Sequence, residues 1–335
     1  MLQHPGLPMR ALDRAQRKLQ ATLSAGIVCL ASMPAHAAWP ERNITLIVPF
    51  AAGGPTDIIA RIISNSFQRA LGQSIVVENR GGAGGNIGMA MVARAPPDGY
   101  TLLLTSTAIA VNPALSKNLG YDPVRDFAPI SELVNAPNVL VVKSGVGLDT
   151  VAALVAAAKA APGKFNYSSP GAGTKSHLTG EQLKLRADFD MAHVPFRGAG
   201  PAALAVLDGS VQVGSVALAA AEALIRDGQL RAIAVTGQKR WFSLPDVPTM
   251  IESGYPGFVS DTFNALFAPA GTPPEIVARL VRESRAAMTA SDAREQALKV
   301  GFEVIAGTPE QLAARIAAEI PAVKELVARI GIKVE

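Results

Sequence analysis

The chain has 335 residues, 49% of them hydrophobic and 17% charged, which excludes a disordered polymer and leaves room for two lobes with their own cores. Its formal net charge is +4, but Arg10, Arg14, Arg17 and Lys18 against Asp13 place +3 of that in the first 38 residues. The remainder stands near +1, so nucleic-acid binding loses its main electrostatic support.

Residues 1–38 read as a cleavable signal peptide. A basic stretch precedes the mostly apolar Leu19 to Met33, and Ala35-His36-Ala37 supplies small residues for cleavage near Ala37/Ala38. Cys29 follows Val28, so a lipoprotein anchor is not expected, and there are no consecutive arginines for the twin-arginine route. The only cysteine leaves with the leader, which removes disulfides and thiol chemistry. No later apolar stretch reaches the roughly 18–20 residues that span a bilayer. The mature chain is expected to be periplasmic and soluble.

From there the pattern is strand then helix, repeated. Ile44 to Phe50 has the unbroken β-branched content of a buried parallel strand. Thr56 is the expected cap of a helix with Ile58, Ile59, Ile62, Ile63 and Phe67 on one stripe and Gly72 as its stop. Strand Ser74–Val77, helix Gly85–Ala95, the Asp98-Gly99 turn and strand Thr101–Leu104 complete one α/β lobe. Phe127 to Val142 is extended, broken by Pro137, and reads as a crossing into a second lobe.

Alternation then restarts: helix Thr150–Ala161, strand Phe165–Ser168, helix Lys175–Arg186, strand Met191–Phe196, helix Pro201–Leu207, strand Val211–Val216, helix Leu218–Arg226, strand Leu230–Val235. Phe263 to Ala268 reads as the return crossing, and helices Pro273–Met288, Asp292–Val300 and Pro309–Ile330 end the chain, the last capped by Thr308. The expected domains are 39–138 with 263–335 as lobe 1, and 139–262 as lobe 2.

Three glycine-rich segments join a strand to a helix: Gly53-Gly54-Pro55, Gly81-Gly82-Ala83-Gly84-Gly85, and Gly171-Ala172-Gly173. Such joints point bare N–H groups and positive helix ends into one space, which suits an anion. The dinucleotide pattern fails, because Ile87 stands where the third glycine belongs and no acid falls within Tyr100 to Thr105. The phosphate-loop pattern fails too, since Thr174 separates Gly173 from Lys175.

No nucleophile elbow or metal spacing accompanies His177 and His193, the two histidines after residue 38. The expectation is therefore a binding protein without cofactor or metal, with an exported hydrolase using Ser168 or Ser176 and His177 as the rival. Asp57 divides evenly between serving the first helix's dipole and facing the cleft, where it would take a ligand ammonium or hydroxyl. Arg80 and Arg197 are the basic candidates near the loops, and Trp39 and Trp241 read as packing residues.

Taken together, these segments resemble the Bug family, the exported solute receptors of tripartite tricarboxylate transport systems. The likeness runs through Val48-Pro49-Phe50-Ala51-Ala52-Gly53-Gly54-Pro55-Thr56-Asp57, Asn79-Arg80-Gly81-Gly82-Ala83-Gly84-Gly85-Asn86, Tyr167-Ser168-Ser169-Pro170-Gly171-Ala172-Gly173-Thr174, His193-Val194-Pro195-Phe196-Arg197-Gly198 and Ala268-Pro269-Ala270-Gly271-Thr272-Pro273. It implies an α/β, two-lobed type II periplasmic-binding-protein fold that closes over a small carboxylate. The ligand would be an amino acid, hydroxy acid or dicarboxylate, and the partner a membrane permease or, alternatively, a membrane sensor; the receptor itself would be a monomer. By resemblance the ligand contacts fall on Phe50, Ala52, Gly54, Thr56, Asp57, Gly84, Gly85, Asn86, Thr105, Ser106, Thr107, Ser168, Gly171, Thr174 and His177. The chain departs from the family at Val216, where an aspartate is frequent, and at Phe263-Asn264, where a Trp and a second aromatic are frequent.

Overall fold

The computed structural model describes residues 1–2 and 39–331, so the expected signal peptide lies outside the described residues. From Arg42 onward the chain forms one unit. Its first strands are β1 (Ile44–Val48), β2 (Ile75–Asn79) and β3 (Thr101–Ser106), with helices α1 (Pro55–Leu71) and α2 (Asn86–Ala93) between them and the short α3 (Ala108–Val111) after. The three strands run parallel, in the order β2-β1-β3.

The long β4 (Phe127–Lys143) leads into the second half: α4 (Val151–Ala160), β5 (Asn166–Ser169), α5 (Lys175–Ala187), β6 (Ala192–Pro195), α6 (Ala199–Leu207), β7 (Val213–Ala217), α7 (Leu218–Arg226) and β8 (Leu230–Val235). The chain returns through β9 (Asp261–Pro269) and ends in α8 (Pro274–Thr289), α9 (Ser291–Lys299), the two-residue β10 (Glu303–Val304) and α10 (Pro309–Ile330). Expected and observed elements agree to within a few residues, apart from α3 and β10, which are too short to carry a period.

β4 joins the halves. It pairs antiparallel with β9 from Phe127 to Pro137, then with β7 and β8 from Asn138 to Lys143. Pro137 does not break the strand as expected. It sits opposite Asp261, the first residue of β9, where the ladder ends and a missing N–H costs little. Past it, Val139 and Val141 pack on one cluster with α6 and α7, while Leu140 and Val142 pack on another with α4, Tyr167 and Phe258. Both faces are covered, which is why the stretch is apolar without alternation.

The first half has its own core of Ile47, Met89, Leu103, Phe127, Phe263, Phe267, Leu312 and Ile316, so α10 closes the lobe that β1 opened. Its start carries the expected cap: the Thr308 hydroxyl accepts from the Gln311 N–H, and the Gln311 side chain accepts from the Thr308 N–H.

In the second half, α5 lies directly on the fully buried Tyr167, whose hydroxyl donates to Glu181 at 2.7 Å and to the His177 carbonyl at 3.2 Å. Gly180 makes that approach possible, since a Cβ there would sit 2.2 Å from the Tyr167 ring. Gly180→Ala is therefore expected to lower unfolding free energy by about 1–3 kcal/mol. Denaturant titration checks this, and an unchanged midpoint would show that the ring can move aside.

Candidate functional site

A strand followed by a helix places the helix N-terminus at the carboxyl edge of its strand, and here two such edges face each other. Between them lies a cavity of about 50 Å³. Its wall contains Gly54, Thr174, Gly198 and Ala217, the residues that immediately precede α1, α5, α6 and α7. Of these four only Thr174 caps its helix with a side chain, accepting from the His177 N–H. The starts of the other three leave their first amides without that partner. Four positive helix ends thus converge on one space, and no carboxylate side chain lies among the lining residues.

The cavity opens, through the shared Phe50, Ala51, Pro170, Thr174 and Gly198, into a wider space of about 530 Å³ lined by Gly81 to Gly85 and Arg197. A third space of about 430 Å³ takes in Asn86, Gly173 and His177. The glycine-rich loops meet across it: Gly84 has φ +64°, and a Cβ there would stand 3.2 Å from the Ala172 carbonyl oxygen of the other half.

Most residues expected to touch a ligand therefore surround one cleft. Phe50, Gly54, Thr56, Ser106, Thr107 and Thr174 line its inner part, and Gly84, Gly85, Asn86, Gly171 and His177 line the outer parts. Four others do not line it: Asp57, whose carboxylate turns inward, and Ala52, Thr105 and Ser168. Ala52 is exposed on the loop, Thr105 is fully buried with its hydroxyl toward the Met89 sulfur, and Ser168 is fully buried with its hydroxyl donating to the Ala202 carbonyl at 2.8 Å. The inner-wall residues that reasoning from sequence did not name as contacts are Ala51, Pro55, Pro170, Lys175, Ser176, Gly198, Ala199, Ala217 and Thr262. Gly198, ahead of a helix, carried a signal; Ala217 carried none. Of the two departures, Val216 packs in the core, whereas Asn264 stands in the cavity wall.

Thr56 does not cap α1. Gly54 holds the cap position and Pro55 the first turn, and the Thr56 hydroxyl donates instead to Asn264 Oδ1 at 2.6 Å.

Asp57 is turned inward, with 2% of its side chain exposed. Its carboxylate accepts from the Gly53 N–H at 2.9 Å, from Arg61 Nε at 2.9 Å and Nη2 at 3.1 Å, and from Asn79 Nδ2 at 3.1 Å. Asn79 also donates to the Phe50 carbonyl, so the carboxylate ties β2 to both ends of the first loop. Burial alone would push the Asp57 carboxyl up, but the bonds from Arg61, Gly53 and Asn79 together hold it below the ordinary range. Both oxygens are taken, and the carboxylate braces the loop. Asp57→Asn is expected to destabilise the protein without added ligand by about 1–3 kcal/mol, read as a lowered melting temperature. A melting temperature equal to the parent's would remove the brace.

His177 and His193 stack with ring centroids 3.9 Å apart. His177 Nδ1 accepts from the Gly173 N–H at 3.1 Å, and His193 Nε2 meets the Ser169 hydroxyl at 2.7 Å. Ser176 donates to Asn138 Oδ1 at 2.6 Å. Neither serine of the hydrolase reading is bonded to His177.

Burial, then the neighbouring His177 and Lys184, push the His193 ring down to about 3, and burial likewise lowers His177. Both rings are neutral in the fold, while unfolded histidine takes a proton near 6.5. Stability is thus fully present above pH 6.5 and lost as pH falls from there toward 3. Between pH 7 and pH 5, His193 is expected to cost about 1 kcal/mol, and His193→Gln to flatten that part of the pH–stability curve. A curve of unchanged slope would contradict this.

The family described as "Tripartite tricarboxylate transporter family receptor" matches residues 59–332. The protein BugT of Bordetella pertussis (strain Tohama I) is 38% identical over 299 residues, 89% of this chain and 92% of that protein. Among solved structures, the periplasmic binding protein BugD superposes with a TM-score of 0.85 at 36% identity, covering 88% of this chain and 99% of that one. The Rpa4515 protein of R. palustris, solved with adipate, gives a TM-score of 0.85 at 34% identity, with 88% and 99% covered. MatC of Rhodopseudomonas palustris, with bound malate, gives 0.82 at 33% identity, with 86% and 100% covered. The two-lobed periplasmic-binding-protein fold is shared with these structures. No helix among the described residues is long and apolar enough to cross a membrane.

Proposed function

The chain belongs to the tripartite tricarboxylate transporter family of receptors, and from that premise we propose that it is an exported carrier of a small carboxylate. In this reading residues 1–38 are removed on export. The mature protein captures an amino acid, hydroxy acid or dicarboxylate between lobes 39–138 with 263–335 and 139–262. It then closes about β4 and β9 and delivers the ligand to membrane permease subunits.

The convergence of the α1, α5, α6 and α7 N-termini on one cavity carries the proposal. Taking a carboxylate out of water requires donors already aimed at it, each charge-assisted bond contributing about 1.5–3 kcal/mol. Backbone amides at helix starts are such donors, fixed in place by the strands that precede them. The nearby cation adds little. Lys175 Nζ is engaged by Glu319 at 2.6 Å, both side chains being largely buried, so its charge is already balanced. The likeness to structures holding adipate and malate supports the same chemistry.

Ser168 and Ser176, the serines of the hydrolase alternative, are both committed elsewhere, to the Ala202 carbonyl and to Asn138. The test is to purify the protein without unfolding, identify by mass spectrometry what denaturation releases, and titrate adipate and malate by calorimetry beside their neutral diesters. A carboxylate should be recovered. A binding diacid at one hundred times its Kd should raise unfolding free energy by about 2.7 kcal/mol, and the diesters should not bind. Diesters that bind as well as the acids would overturn the reading.

A further inference from the structure

Asn264 lies on β9 and is fully buried. Phe263, Ala265 and Phe267 turn into the core of the first half. Thr262 and Asn264 therefore share the opposite face, and both line the cavity. Ser106, which pairs with Asn264 across the β3–β9 ladder, lines it as well. The amide oxygen is used, accepting from the Thr56 hydroxyl at 2.6 Å. The amide nitrogen Nδ2 is buried and has no partner. Leaving such a donor unpaired costs about 1–3 kcal/mol, a cost that the amide nitrogens of Asn135 and Asn138 on β4 avoid. Asn138, for example, donates to Ser260 and accepts from Ser176 and Thr262.

We infer that Asn264 Nδ2 is a ligand contact and that it selects for an oxygen acceptor over an ammonium beside it. The inference rests on the carboxylate reading and narrows it, favouring dicarboxylates, hydroxy acids and oxo acids over amino acids. The charge of the site agrees. Asp57, the acid nearest the loop, spends both oxygens on Gly53, Arg61 and Asn79, and no carboxylate lines the inner cavity. An ammonium placed there would face four positive helix ends and an N–H donor, with no anion to balance it.

The experiment uses two pairs of acids, malate with aspartate and adipate with 6-aminohexanoate, titrated by calorimetry against the whole mature protein. Within each pair the carboxylate is kept while an oxygen group is exchanged for an ammonium. The acceptor-bearing acid of at least one pair should bind at least tenfold more tightly, and Asn264→Asp should erase or reverse that preference. Asn264→Leu should weaken the preferred acid tenfold while leaving its partner little changed.

Equal affinity within both pairs would overturn the inference while leaving the carboxylate reading in place. So would an ammonium-bearing acid that binds more tightly, the result expected if the Asn264 amide presents its oxygen to the cavity. The wild-type comparison stands even where a variant fails to fold. No binding of any of the four acids at millimolar concentration would overturn the carboxylate reading and this inference together.

Discussion

The site depends on one constraint: a helix that follows a strand begins where the strand ends. In the first half β1, β2 and β3 are parallel, and in the second β5 runs parallel to β6 and β7. Their following loops therefore collect on one edge of each half. β4 and β9 pass between the halves as a paired ribbon and set the two edges face to face. The positive ends of α1, α5, α6 and α7 then meet without any side chain having to be chosen for charge. Glycine at Gly54 and Gly198 keeps the starts of α1 and α6 bare enough for a small molecule to reach them.

Such an arrangement gathers like-signed poles and leaves amides unpaired, so something must hold the loops in position. On the first half this is the Asp57 carboxylate, which gathers Gly53, Arg61 and Asn79 around the loop after β1. On the second it is the polar cluster beneath the loop after β5. There the Gly173 N–H reaches His177, Ser169 bonds to His193, and Tyr167 holds Glu181, which in turn meets Lys184. Neutral imidazoles suit this place, because a charged ring would add to the positive ends nearby. His177, the histidine of the hydrolase alternative, and its stacked neighbour His193 are better understood as supports for the loop.

Helix boundaries were legible because Thr150, Thr308, Gly72 and the prolines that open or close helices act through local geometry alone. The cleft was legible in outline for the same reason: glycine between a strand and a helix announces a bare amide wherever it occurs. Side-chain direction was not. Thr56 looks like a cap in sequence, yet Pro55 moves the helix start to Gly54 and leaves the hydroxyl for Asn264, a partner 208 residues away. Asp57 and Ser168 likewise turn inward because of partners distant in sequence, Asn79 on β2 and Ala202 on α6. Ala217 enters the wall only because β7 ends there, and a lone alanine carries no mark of that.

The charged side chains near the cleft complete the argument by what they withhold. Arg315 on α10 meets Glu132 at 2.5 Å and Asp261 at 2.7 Å, at the part of β4 and β9 where the halves join, and it also nears Glu319. Glu319 takes Lys175 from the start of α5. Cations and anions are thus paired with one another along α10, and the inner cavity, whose wall includes the paired Lys175, presents mainly dipoles and hydroxyls. A free lysine or arginine there would hold any anion by Coulomb attraction, with little regard for its shape. Dipoles fixed in direction reward an oxygen only where it is correctly placed, which favours recognition by geometry and leaves release compatible with the lobes moving apart.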